Sequence, residues 1–269
     1  HDTEEVTDAD YVVMESVYGD RAHEPVEGRI SKLKQVIEET IRKKGVLLIP
    51  AFSIERTQVL LHELNDLIEN KEIASIPVFL DSPLAIKVTE IYRSRIKNFN
   101  EAIQKEIKAG DDIFSFPNFK ETYSKEESQQ IWHEMNPKII IAGSGMSHGG
   151  RIIHHERKYL GDPRTTLLFV GYQAAGSLGR KIQEGAKRVT IFDDEIKVKA
   201  HIETIGSYSA HKDTDGLLSF IEPMAKHVKK VFVTMGEPKS SLFLAQRLRD
   251  YLGVQAIVPK KGEKVELEF

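Results

Sequence analysis

The sequence predicts an α/β fold built on a largely parallel sheet, and three observations carry that prediction. Short runs rich in Val, Ile and Leu recur through the 269 residues, amphipathic helical stretches follow most of them, and Gly-rich turns join strand to helix late in the chain. Parallel neighbours need a crossover connection, which a helix supplies, so this alternation selects an α/β class. The first strand is YVVME at 11–15. A helix over 28–44 puts Val36, Ile37 and Ile41 on one face, and GVLLIP at 45–50 follows as a strand. The next helix, 55–69, gathers Val59, Leu60, Leu64, Leu67 and Ile68 before the strand PVFLD at 77–81. Helices at 84–95, 97–109 and 124–135 then interrupt the alternation, and 84–135 reads as an insertion or cap instead of further crossover units. Strands are predicted again at 138–143, 165–172, 188–192, 230–234 and 255–259, with helices at 150–160, 213–227 and 239–252.

Composition narrows the function classes. With 40% hydrophobic and 29% charged residues the chain is an ordinary globular one. No apolar run approaches the roughly 18 to 20 residues that cross a membrane, and no charged start precedes an apolar stretch, so the expected compartment is the cytoplasm. The absence of Cys removes disulfide scaffolds and thiolate zinc sites but leaves His and carboxylate sites open. The opening on His rather than Met, close to a strand, reads as a cut.

Charge is unevenly placed. The total is −3, yet residues 1–20 hold seven acids (Asp2, Glu4, Glu5, Asp8, Asp10, Glu15, Asp20) and no Lys or Arg. Residues 151–188 hold eight Lys or Arg against three acids. Polyanions answer to such patches, not to totals.

In sheets of this class ligands sit beyond the carboxyl ends of strands. Five post-strand segments occupy such places: MESVYGD (14–20), PAFSIERTQ (50–58), LDSPLA (80–85), GSGMSHGGR (143–151) and GYQAAGSLGR (171–180). The last two are Gly-rich turns whose backbone N–H groups can hold phosphate oxygens, with Arg151 or Arg180 adding charge. Residues 145–149 also satisfy G-x-S-x-G, which would make Ser147 the nucleophile of an α/β serine hydrolase with Asp213 and His227. That elbow requires the Ser at the strand-to-helix corner, and four residues intervene here. The histidines show no H-x-H or H-x-x-x-H spacing, and His154 and His155 point about 100° apart on a helix, so no local metal motif exists.

Taken in order, these segments resemble the β-CASP branch of the metallo-β-lactamase fold, RNA-processing nucleases that include ribonuclease J and the cleavage and polyadenylation endonuclease. ESVYGD looks like the family's first acidic motif, PAFSIERTQ like its P-x-F-x-x-G-R-x-Q segment and SAHKD (209–213) like its first downstream His motif. The resemblance implies a β-CASP domain at 20–206, flanked by the end of the first metallo-β-lactamase half at 1–19 and its C-terminal return at 207–269. It implies Glu15 and His211 as catalytic residues at the scissile phosphate. A carboxylate bonded to one ring nitrogen fixes the tautomer, which leaves the other nitrogen to protonate the leaving oxygen. It assigns RNA phosphate contacts to Arg56, Ser144, Gly145, Ser147, Gly149, Gly150, Arg151 and Arg180.

Three departures accompany the resemblance. The family's H-x-H-x-D-H zinc cluster lies upstream of the acidic motif, so two zinc ions are expected in the intact parent and none in this chain. The family's V-H-G-E context falls at residues 234–237, placing Met235 where a His ligand is expected, and a thioether is a poor ligand for hydrolytic zinc. Glu55 replaces the Gly before Arg56. The expected function is therefore zinc-dependent phosphodiester hydrolysis of single-stranded RNA by the intact parent, with this chain inactive alone. A non-catalytic RNA-binding module is the alternative that Met235 suggests, the serine hydrolase is a further one, and a homodimeric partner is admitted.

Overall fold

The structure, a computed structural model, describes residues 3–268, so His1 and the acid Asp2 lie outside the described residues. The strands run β1 (Tyr11–Glu15), β2 (Val46–Pro50), β3 (Val78–Asp81), β4 (Phe119–Glu121), β5 (Lys138–Ala142), β6 (Thr166–Phe169), β7 (Arg188–Ile191), β8 (Asp194–Lys197), β9 (His201–Thr204), β10 (Lys230–Thr234) and β11 (Ala256–Ile257). The helices are α1 (Arg29–Arg42), α2 (Arg56–Glu69), α3 (Pro83–Ser94), α4 (Glu101–Lys108), α5 (Lys125–Gln130), α6 (Ile152–Tyr159), α7 (Leu178–Gln183), α8 (Thr214–Ile221) and α9 (Pro238–Leu252). They form two compact units, one of residues 24–208 and one joining the described residues before 24 to those after 208.

The larger unit is built on a six-stranded sheet in the order β4-β3-β5-β2-β6-β9, every pair parallel. Its central strands are buried throughout and largely apolar because both faces are covered. In β2, Leu47 and Ile49 join a core with Leu33 and Ile37 of α1 and Leu60 and Leu64 of α2. Val46 and Leu48 point the other way, into a second core with Ile152 of α6 and Ile182 of α7. The period of two in a strand is thus written directly into two separate cores.

The region 84–135 departs from the expectation of an insertion. It contains β4, which pairs in parallel with β3, so α3 and α4 belong to a crossover within the sheet. β4 reads FKE, three residues with one apolar side chain, and offers no period-two signal. β8 and β9 escaped the same test for the same reason, since their sequences DEIK and HIET are dominated by polar residues. β7 and β8 pair antiparallel in a separate hairpin.

The smaller unit is a three-stranded parallel sheet, β1-β10-β11. Val12, Met14, Val231 and Val233 pack one of its faces on Leu217 and Ile221 of α8 and Leu244 and Leu248 of α9. Among the described residues no helix is long and apolar enough to cross a membrane.

Candidate active site and nucleic-acid interface

In the smaller unit Glu15 is the last residue of β1, so its carboxylate stands at the carboxyl end of a parallel sheet. One oxygen, Oε1, lies 3.1 Å from His211 Nδ1, and the other accepts the Val17 amide at 2.7 Å. Because a carboxylate only accepts, Nδ1 carries the proton, and Nε2 of this half-exposed ring is the nitrogen left to exchange one. The segment bearing His211 is stitched to the loop after β1. His23 Nε2 lies 2.7 Å from the His211 carbonyl oxygen, the His23 amide donates to Asp213 Oδ2 at 3.1 Å, and Thr214 Oγ1 donates to the carbonyls of Tyr18 and Arg21. Asp213 Oδ1 caps α8 through the Gly216 amide at 3.0 Å. Burial opposes the Asp213 charge, but the amides of Gly216 and His23 outweigh it and hold its pKa below the usual value.

Strand β10 ends beside β1, with Glu15 opposite Thr234. Met235 follows at φ 59° and is 80% exposed, a thioether in water and not in a core. Gly236 is required next: a Cβ there would stand 2.4 Å from Ser16 Oγ, whose hydroxyl donates to the Thr234 carbonyl at 2.7 Å. Among the described residues no three His, Asp or Glu side chains converge as metal ligands. His211 already gives Nδ1 to Glu15, and Met235 brings the wrong donor, so the described residues do not fit a two-zinc site by themselves.

The larger unit gathers its post-strand loops at the carboxyl ends of β2, β3, β5 and β6. The 143–150 turn is folded on itself: Ser144 donates its amide to the Gly149 carbonyl and accepts the His148 amide on Oγ, both near 3 Å. Gly150 has φ 72°, and a Cβ on it would meet the Gly143 carbonyl at 2.4 Å. Gly145 leans on Phe52 and is bonded through its carbonyl to Gln173 Nε2 at 2.8 Å. Ser147 is buried and donates to Glu156 Oε1 at 2.5 Å. Burial pushes the Glu156 carboxyl up to about 8, only partly offset by that hydroxyl. Ser147 therefore faces a carboxyl group and no histidine, while the Asp213 oxygens serve the His23 and Gly216 amides; the serine hydrolase geometry is absent.

Arg151 is held inward by Asp81 Oδ1 at 2.6 Å and the carbonyls of Thr122 and Tyr123. Asp81 is fully buried at the end of β3, and burial alone would raise its pKa. Four donors, His155, Ser128, Thr122 and Arg151, overcome that and hold it down at about 2. Trp132 Nε1 donates to His155 Nδ1 at 3.1 Å, so His155 carries its proton on Nε2 and donates it to Asp81 at 2.7 Å. Arg180 bonds to Glu184 at 2.6 Å and to the Gln173 carbonyl at 3.1 Å. Arg56 is buried at the start of α2, its guanidinium 5.7 Å from the ring of Tyr208.

Sequence reasoning passed over Asp81, Trp132 and His155. The available signal was the i,i+4 spacing of Arg151 and His155, which puts both on one helix face to share a carboxylate.

Comparison with known proteins places the chain. It matches the Beta-Casp domain over residues 57–182 and the Zn-dependent metallo-hydrolase RNA specificity domain over 195–259. It is 33% identical over 257 residues to "Ribonuclease TTHA0252" of Thermus thermophilus, covering 96% of this chain and 58% of that protein. To the "RNase J-like protein" of Methanocaldococcus jannaschii it is 31% identical over 260 residues, 96% of this chain and 59% of the relative. To "Transcription termination factor FttA" of Methanosarcina mazei it is 30% identical over 264 residues, 95% of this chain and 41% of the relative. The chain thus spans about half the length of the relatives it matches.

Proposed function

Because this chain belongs to the β-CASP family of RNA-processing nucleases, we propose that it supplies two parts of an RNA-cleaving protein. One part is the RNA-binding surface on the post-strand loops of the larger unit. The other is the proton donor, His211 oriented by Glu15. The observation that carries the reading is the 3.1 Å contact between Glu15 Oε1 and His211 Nδ1 at the end of a parallel sheet.

The chemistry follows from the geometry. Glu15 holds the Nδ1–H and so orients the ring, leaving Nε2 as the nitrogen that can pass a proton to the oxygen that leaves when a phosphodiester breaks. The matched family is described as zinc-dependent. The described residues do not assemble a metal site, and the chain alone is expected not to hydrolyse RNA. In the intact parent, His211→Ala should lower cleavage of single-stranded RNA by about 100- to 10,000-fold, the usual share of a positioned proton donor. Unchanged cleavage would sink the role.

One observation favours a second reading. Met235 stands exposed where the resemblance places a His ligand. A parent that binds RNA with a salt-dependent affinity and does not cleave it would establish the non-catalytic module.

A further inference from the structure

The loop after β2 carries an aromatic ring partly into solvent. Phe52 is 43% exposed, in company with Ile54 on the same loop and Leu84 on the first turn of α3, both more exposed still. Ser53 Oγ and Ser82 Oγ, 3.4 Å apart, tie these two segments together. The ring is seated. A Cβ built on Gly145 would lie 2.8 to 3.0 Å from three of its carbons, and one on Gly171 would lie 3.8 Å from Cε2. The ring therefore rests against the backbone of Gly145 in the loop after β5, while a Cβ on Gly171 would make only an ordinary contact with it. Its own backbone is pinned as well, since the Phe52 carbonyl accepts both the amide and the hydroxyl of Thr57.

On the loop that seats the ring, the amides of Gly149 and Gly150 donate to no acceptor among the described residues. A flat apolar surface beside open backbone donors is how single-stranded nucleic acid is held, base on ring and phosphate on amide. Because every base has a π face, such a platform is tolerant of sequence.

We propose that Phe52 is the stacking platform for one unpaired nucleobase of RNA, with Gly145 kept side-chain-free so that the ring keeps its seat. The proposal rests on the RNA-binding reading above.

Its test is fluorescence anisotropy of the 269-residue chain with a short labelled single-stranded RNA at several salt concentrations, for wild type, F52L and F52W. F52L keeps an apolar side chain against Gly145 and removes the ring. It should bind about 5- to 100-fold more weakly with an unchanged slope of log affinity against log salt, because stacking releases no counterions. F52W should retain affinity. An abasic residue moved along the RNA should, at one position, weaken wild type by a similar factor and F52L by nothing further. Equal binding by F52L and wild type, or abasic and F52L losses that multiply at every position, would overturn the proposal. Wild type that binds no RNA at low salt would instead overturn the RNA-binding reading and the proposal with it.

Discussion

His23 Nε2 lies 2.7 Å from the carbonyl oxygen of His211, so one histidine holds the backbone of another whose ring faces Glu15. A carbonyl accepts only, which fixes the proton of His23 on Nε2. The His23 ring also packs on Tyr18 at 4.5 Å between centroids. His23→Phe keeps that packing and deletes the donor. It should cost about 1 kcal/mol in urea unfolding, the usual net worth of one hydrogen bond, and His23→Gln should recover part of the loss. Equal stability of the Phe variant and wild type would show that the bond contributes nothing.

Glu55 occupies a strained turn. Its φ of 65° and ψ of −61°, with the Arg56 amide donating to the Ile54 carbonyl at 2.8 Å, define a γ-turn of the positive-φ kind that side chains disfavour. Relief of the strain outweighs the extra chain entropy of glycine, so Glu55→Gly should stabilise the chain by about 1 kcal/mol. A lowered urea midpoint would contradict this.

Glu156 makes stability depend on pH between about 4.5 and 8. Its folded pKa, about 8, lies above the unfolded value of 4.5, so the folded chain holds the extra proton between them. The stabilisation is full below about pH 4.5 and declines as pH rises to about 8, where the buried group ionises. Glu156→Gln cannot ionise and keeps an acceptor for Ser147. The difference in unfolding free energy between variant and wild type, measured from pH 5 to 9, should move in the variant's favour up to about pH 8 and then level off; a difference independent of pH would refute the assignment.

Asp81 acts in the opposite direction. Its folded pKa, about 2, lies below the unfolded 3.8, so its contribution is complete above pH 3.8 and is lost as pH falls toward 2. Asp81→Asn leaves Arg151 without its counter-ion and should cost about 3 kcal/mol at pH 7. The gap from wild type should narrow near pH 2. A variant as stable as wild type at pH 7 would remove Asp81 from the centre of this network.

Legibility in the sequence followed burial. β5 reads KIIIA and β2 reads VLLIP, all buried, and both were visible as apolar runs. β4 and β8 lie at the margins of their sheets with little apolar content, so pattern alone passes over them. The meeting of Glu15 with His211 spans 196 positions and has no local signal; only the ordered motifs brought the two together. The basic residues of 151–188 showed as charge, but which carboxylates they meet depends on long-range folding. Arg151 reaches back 70 positions to Asp81, whereas Arg180 finds Glu184 one turn away.

The pairing of β1 with β10 also sets a schedule. On a ribosome that adds about 5 to 20 residues per second, β1 is made some tens of seconds before the strand it must lie against. All of residues 24–208 are synthesised in that interval, so the larger unit can close while β1 is still unpaired. The pair of Glu15 and His211, which needs the returning chain, is among the last features to assemble.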